Sequence, residues 1–397
     1  MTMETMIHVK RAKELIADSI NPLKPVPVPL TEATGLVLAE DVFSQYDIPA
    51  YPQSSMDGYA FAFEEGKLTY VLDGEMAAGS NHQFELKPGF AVRIFTGAAV
   101  PLGADTVLMQ EKSAIQEGLL HVTDLQLKKG DNLRQAGSEI QKGAKALSKR
   151  HLLNAASIGF LAGMGISSVK AYPKPRVAIL VTGNELQMPG NPLEYGQVYD
   201  SNSLTLKACL SQLHINDVDI FSCGDDLFQL QSTLEKALQR ADLILMTGGV
   251  SVGDYDFTMD AFESCGVRKV FHKVRQKPGK PLLFGTRDEK KVFGLPGNPA
   301  SVLTCFYEYV IPAIGEMVHS PTAIVSMQVP LEHDHKKPEG LTHFLKAWYN
   351  GQTVSLRTGQ ESYKLSSYAA ANCLAVFPEA ETTFSKGQLV EIHLLPQ

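Results

Sequence analysis

The chain has 397 residues, 44% of them hydrophobic and 20% charged, with a formal net charge of −7. That length exceeds one ordinary core and predicts two to four domains. The acidic balance excludes nucleic acid as a main partner, which would need a basic surface. The five cysteines contain no C-x-x-C pair, so reduced thiols and a cytoplasmic location are expected.

The first twenty residues, MTMETMIHVKRAKELIADSI, spread their charges and lack an apolar signal core, so they read as an amphipathic helix. Pro22, Pro25, Pro27 and Pro29 end it in an extended connector. From about residue 43 to 140, short alternating runs such as LTYVLDG, AVRIFTG and DTVLMQE are broken by glycine and proline, which predicts an all-β insert. A helix is predicted over roughly residues 149–161. The uncharged stretch 152–169 approaches a membrane span in length, yet Asn154 and its glycines and serines make it a buried helix and turn. No membrane association is expected. A second proline hinge follows at Tyr172-Pro-Lys-Pro175.

Beyond the hinge, strands over residues 176–181, 218–221, 241–246 and 291–295 alternate with helical patterns. One helix opens at Ser201 and spaces Leu206, Cys209, Leu210 and Leu213 on one face. The other carries Leu227, Leu230, Leu234, Ala237 and Leu238. This rhythm predicts a mostly parallel sheet with right-handed crossovers. After about residue 320 a β pattern returns to the end.

In an open parallel sheet, ligands bind beyond the carboxyl ends of the strands. Those ends carry Glu185, Asp225, the Gly248-Gly249 loop with Asp254 and Asp256, and the turn Pro296-Gly297-Asn298-Pro299-Ala300-Ser301. Carboxylates there can hold Mg²⁺ or position a water, and the glycines let backbone N–H groups approach an anion. Singly, Asp225 or Asp256 reads as a helix cap; as a set with glycine loops they predict a site. In the run from His272 to Lys280, an extended backbone would place Lys273, Arg275 and Lys277 on one face, with Lys280 past a Pro-Gly turn. Lysines beside a metal site suit a phosphorylated or oxyanion substrate; lysines protecting a sheet edge are the plainer alternative. Gly249-Val-Ser251-Val-Gly253 also matches a serine-hydrolase elbow. Its strand stops early, at Met246, and no histidine is followed by glycine, so the hydrolase is the minor alternative.

The segments SSMDGYA, RIFTGAAVPLGADTVLMQE, LVTGNEL, YDSNS, TGGVSVGDYDF, KPGKPLLFG and GLPGNPAS, in this order, resemble the molybdopterin molybdenumtransferase family, relatives of the gephyrin E domain. The resemblance covers nearly the whole chain and is weakest after residue 320. It implies an α/β plus β multidomain fold in an elongated homodimer. The expected parts are a linking region (1–42 with 141–173), a β-rich insert (43–140), a three-layer α/β domain (174–320) and a C-terminal β-barrel-like domain (321–397). The implied substrates are adenylylated molybdopterin and molybdate, with Mg²⁺ as cofactor, AMP as product and possible cofactor-handover proteins as partners. The implied catalytic set is Asp57, Thr96, Glu185, Asp225, Asp256, Lys273 and Lys277, with Glu185, Asp225 and Asp256 toward the metal. Asp57 and Thr96 would face the α/β domain of a second subunit. Gly248, Gly249, Ser251, Lys280, Pro296, Gly297, Asn298 and Ser301 would bind substrate, which makes Ser251 part of an anion loop. Three positions differ from the family pattern: Glu139 stands where Asp is usual, Lys346 where arginine is common, and Ser362 lies in a less glycine-rich turn. A catalytically inactive scaffold of the same fold is the second alternative.

Overall fold

Six runs of five or six residues, each too short for a helix, form the central sheet; the four inner ones are nearly continuous in their burial, while the two edge strands are only partly buried. In the computed structural model, which describes residues 6–80, 85–249, 257–320 and 324–396, the chain divides into two compact units. One comprises Met1–Val26, Gly35–Val37 and Ala171–Gln397; the other comprises Pro27–Thr34 and Leu38–Lys170.

In the first unit the chain runs β1 (Val177–Thr182), α1 (Asn202–Gln212), β2 (Val218–Cys223), α2 (Leu227–Arg240), β3 (Leu243–Thr247), α3 (Phe257–Ser264), β4 (Arg268–His272), β5 (Leu283–Arg287), β6 (Lys290–Leu295) and α4 (Pro299–Cys305). The sheet order is β2-β1-β3-β6-β5-β4. The first four strands are parallel, as expected, while β5 runs antiparallel to both its neighbours. The sequence pattern showed β6 but not its hairpin partner β5. Ala178, Leu180, Ile244 and Met246 alternate onto one face, where they pack with Leu230, Leu234 and Leu238 of α2 and Phe262 of α3. Each large side chain so buried stabilises the fold by roughly 1.5–3 kcal/mol.

The C-terminal residues form a second sheet, in which Thr342–Tyr349, Cys373–Phe377, Leu389–Leu394 and Ser326–Pro330 pair antiparallel in that order. The short strand Gln276–Lys277 adds to its edge, parallel to Thr342–Tyr349, with Lys277 opposite His343. This pairing departs from the expected extended face of Lys273, Arg275 and Lys277. Lys273 takes a left-handed φ of 69°, which ends the strand, and Arg275 donates from Nε to the Met6 carbonyl at 3.2 Å.

In the second unit the insert is β-rich, as its alternation predicts. Gly58–Phe61 sits between Thr106–Met109 and Phe90–Ile94, followed by Thr69–Met76, Leu119–Val122 and Ser113–Gln116. The later helix is Ala155–Gly163; Asn154 caps it by accepting the Ser157 N–H at 2.9 Å. Among the described residues no helix is long and apolar enough to cross a membrane.

One buried ionic group ties three distant parts of the first unit together. Glu308, almost fully buried, accepts from Lys13 Nζ at 2.7 Å and from His393 Nδ1 at 2.6 Å. Burial alone would raise the Glu308 pKa, but the His393 hydrogen bond and the Lys13 charge hold it below the usual range. Burial likewise opposes the His393 imidazolium, yet its bond to Glu308 keeps its pKa raised. Stability from Glu308 is therefore present above its unfolded value of 4.5 and lost on further acidification. Stability from His393 is present below 6.5 and lost as pH rises through the raised folded value. Denaturant titrations across pH should show this contribution greatest between about 4.5 and 6.5 and falling on both sides. Glu308→Gln should flatten both slopes relative to the unaltered protein.

Candidate active site

The parallel register places four strand ends side by side, since Thr182 pairs with Cys223, and Thr247 with both Val181 and Leu295. The residues immediately beyond these ends line a cavity of about 590 Å³: Asn184 and Glu185 after β1, Gly224, Asp225 and Asp226 after β2, Gly248 and Gly249 after β3, and Gly297 after β6. Three carboxylates and no lysine or arginine occur in this lining.

Asp225 and Asp226 are adjacent but do different work. Asp226 caps α2, accepting the Gln229 N–H at 2.8 Å. The capping role considered for Asp225 thus belongs to its neighbour. Asp225 instead meets the β1 loop: its carboxylate accepts the Asn184 N–H at 3.4 Å, while its own N–H donates to Asn184 Oδ1 at 3.2 Å. This cross-loop pair holds the Asp225 carboxylate on the Glu185 side of the rim and exposed. Gly248 permits the close approach of the third loop. It has φ 89°, and a Cβ there would lie 2.5 Å from the Thr182 carbonyl oxygen.

Hard carboxylate oxygens without a competing cation suit a divalent metal such as Mg²⁺. Glu185 and Asp225 fit that donor chemistry. Among the described residues no cluster of three metal-ligating side chains occurs. Asp256, the expected third acid, lies outside the described residues, as do Ser251, Asp254 and most of the G-x-S-x-G segment.

A larger cavity of about 1240 Å³ shares Glu185 and Gly297 with the first. Its lining brings together the predicted Lys277, Lys280, Pro296, Asn298 and Ser301. Lys273 is in neither lining, and its carbonyl accepts the Ile7 N–H at 3.1 Å. Asn202, at the start of α1, also lines it; its Nδ2 donates to the Gly297 carbonyl at 2.9 Å while Oδ1 is buried without a partner among the described residues. A buried acceptor of that kind favours a ligand that donates a hydrogen bond.

The opposite wall comes from the C-terminal residues, and its histidines and Lys336 and Lys337 were not anticipated. It supplies His335, Lys336, Lys337 and His343, together with the loop 359–363. No local motif announces these residues; only the pairing of Lys277 with His343 brings them to the cavity. Lys346 is 2% exposed and donates to the carbonyls of Gly359, Glu361 and Lys364 at 2.7, 3.2 and 3.3 Å. It organises the loop rather than facing a ligand. Ser362 lines the cavity, and its carbonyl accepts the Ala300 N–H at 3.0 Å.

In the second unit, Asp57 and Thr96 are brought together. The Asp57 carboxylate accepts from the Thr96 N–H at 2.7 Å and from its hydroxyl at 2.8 Å. These two bonds, led by the backbone one, hold the exposed carboxylate below its ordinary pKa. Gly58 fixes the position, because a Cβ there would stand 1.9 Å from the Leu108 carbonyl oxygen. Glu139 is exposed, with its N–H bonded to the Ile48 carbonyl at 2.9 Å.

Three family profiles match in order: the MoeA N-terminal region (domain I and II) over residues 7–165, a probable molybdopterin binding domain over 178–316, and the MoeA C-terminal region (domain IV) over 328–395. A molybdopterin molybdenumtransferase of Haemophilus influenzae is 35% identical over 386 residues, covering 92% of this chain and 94% of the relative. The chain belongs to the molybdopterin molybdenumtransferase family. A member from Nostoc sp. is 36% identical, covering 93% of this chain and 88% of its own. A solved molybdopterin biosynthesis MoeA protein from Pyrococcus horikosii has a TM-score of 0.83 at 28% identity, covering 98% of this chain and 99% of its own. These relatives do not favour the hydrolase or the inactive scaffold.

Thr96→Val should move the Asp57 pKa up toward the ordinary carboxylate range, because one of its two donors is lost; a carboxylate-detected NMR titration reads it directly. Gly58→Ala should destabilise the insert by at least about 1–3 kcal/mol, since backbone must move to admit the methyl group. Thermal or denaturant unfolding checks this.

Proposed function

We propose that this chain inserts molybdate into adenylylated molybdopterin with release of AMP. The observation that carries the reading is the joining of two unlike cavities at Glu185 and Gly297. One has acids and no basic side chain; the other has four lysines. A reaction that brings a dianionic oxyanion to a phosphoanhydride needs both kinds of environment.

The roles follow from residue chemistry. Glu185 and Asp225, with Asp256, would hold Mg²⁺, whose chemistry there is neutralisation of phosphate charge. Lys277 and Lys280 would hold the phosphate and molybdate anions. Asn202 Oδ1 would accept a hydrogen bond from the bound pterin. The turn at Pro296–Ser301 and the Gly248-Gly249 loop, continuing to Ser251, would seat the substrate backbone-first. Lys273 would contribute charge from beyond the wall. AMP leaves as the phosphorus–oxygen bond of the anhydride breaks, with the carboxylates orienting the attacking water or oxyanion.

The same reading gives a cytoplasmic homodimer, with the insert's Asp57 and Thr96 offered to a second copy's α/β domain. It also gives the four-part division at residues 42, 140, 173 and 320, the three-layer central domain and the barrel-like closure of the C-terminal sheet. Handover to proteins that accept the finished cofactor fits a labile product.

AMP release from adenylylated molybdopterin, with Mg²⁺ and with or without molybdate, is the test. Molybdate-dependent release is expected, and Asp225→Asn should lower it by about 10²–10³-fold while leaving the fold intact. Unchanged release in that variant would remove Asp225 from the chemistry, and no release by the unaltered protein would refute the assignment.

A further inference from the structure

The C-terminal wall of the large cavity holds groups that the reaction as described leaves unused. His343 is 6% exposed, lines the cavity, and stands opposite Lys277 across the parallel pairing of Gln276–Lys277 with Thr342–Tyr349. Among the described residues it has no hydrogen-bond partner at either ring nitrogen. His335, on the same wall, packs against Phe377 and Phe384, and its Nε2 is buried without a partner among the described residues. Lys337 is pinned by the carbonyls of Pro338, Leu341 and Glu379 at 3.3, 3.0 and 3.4 Å, so its charge cannot swing away.

We propose that His343, with His335 beside it, completes an oxyanion subsite between Lys277 and Lys337 and takes up a proton as a tetrahedral oxyanion enters. This rests on the transferase reading and deepens it by naming a residue that senses the anion's charge.

The electrostatics around His343 are one-sided. Burial, then the charges of Lys337 and Lys277 and finally His335, push the His343 pKa down to about 4. Burial, then Lys337, lowers that of His335 as well. Glu339, Glu379 and Glu381 act on Lys337, Glu379 being itself paired with His8 at 2.7 Å, and Glu361, in the loop of the same wall, is paired with Lys364 at 3.0 Å. Phe377, the antiparallel neighbour of His343, contributes no charge. An incoming dianion reverses the balance, because it neutralises the lysines and offers an acceptor to an imidazole that has none. Binding and protonation then favour each other by the same factor.

Calorimetry of molybdate binding in two buffers of different ionisation enthalpy counts the protons taken up. About one proton is expected near neutral pH. The affinity should rise toward tenfold per unit as pH is lowered from roughly 8 to 6. His343→Gln should abolish both effects while retaining molybdate binding through the lysines. The His343 ring resonances of the unaltered protein, followed by NMR with and without molybdate, give the same answer without a substitution. Binding without proton uptake, or uptake undiminished in His343→Gln, overturns the inference while AMP release continues to support the transferase. Absence of molybdate binding together with absence of AMP release would overturn both.

Discussion

In-register parallel pairing of β1 with β2 and β3, and of β3 with β6, is the constraint on which the site depends. Because these strands end within a residue of one another, the four loops that follow them emerge at a single rim. A slip of one residue would turn Ala178 and Leu180 away from α2 and onto the opposite face, which Val177, Ile179 and Val181 already fill. The hydrophobic core therefore fixes the registry of the chemistry. Asp225 meets Asn184 across two loops only because the strands beneath them cannot slide.

The second dependence is a short one. Two residues, Gln276 and Lys277, leave the α/β part and join the edge of the C-terminal sheet. Through them the exposed lysines of the KPGKP turn line the same cavity as His343 and Lys337. Lys346 supports the same wall from behind, its ammonium satisfied by three carbonyls of residues 359–364. A lysine at this position gives three single bonds in different directions, which a planar guanidinium could not reproduce in the same space. The departure from the family's usual arginine is thus accommodated by a loop wrapped around the ammonium.

The two cavities divide the electrostatic labour. Carboxylates without lysines gather at the strand ends, and lysines with histidines gather in the larger cavity beside them. They meet at Glu185 and Gly297. The buried Glu308 group, far from any described ligand-facing role, holds the helix Val9–Asp18 and the last strand to the segment that follows α4.

The sequence by itself determined the four strands β1, β2, β3 and β6, though not β4 or β5, that these four would be parallel, and that Glu185, Asp225, Gly248, Gly249 and the PGNPAS turn would lie at their ends. Apolar runs of the right length, followed by glycine and acid, carry that information locally. It also placed Lys277 and Lys280 in a turn suited to anions. Ordered motifs, rather than periodicity, singled out Asp57 and Thr96, which the fold then joins by two hydrogen bonds. Only the tertiary structure decided that Asp226 and not Asp225 caps α2, that Lys273 turns out of the row, and that His335, Lys337 and His343 face the cavity. Those outcomes depend on backbone hand at one residue and on pairing between segments some sixty-five residues apart. Neither leaves a periodic trace, because a left-handed φ and a two-residue strand pairing are chosen by the packing around them rather than by the residues' own preferences.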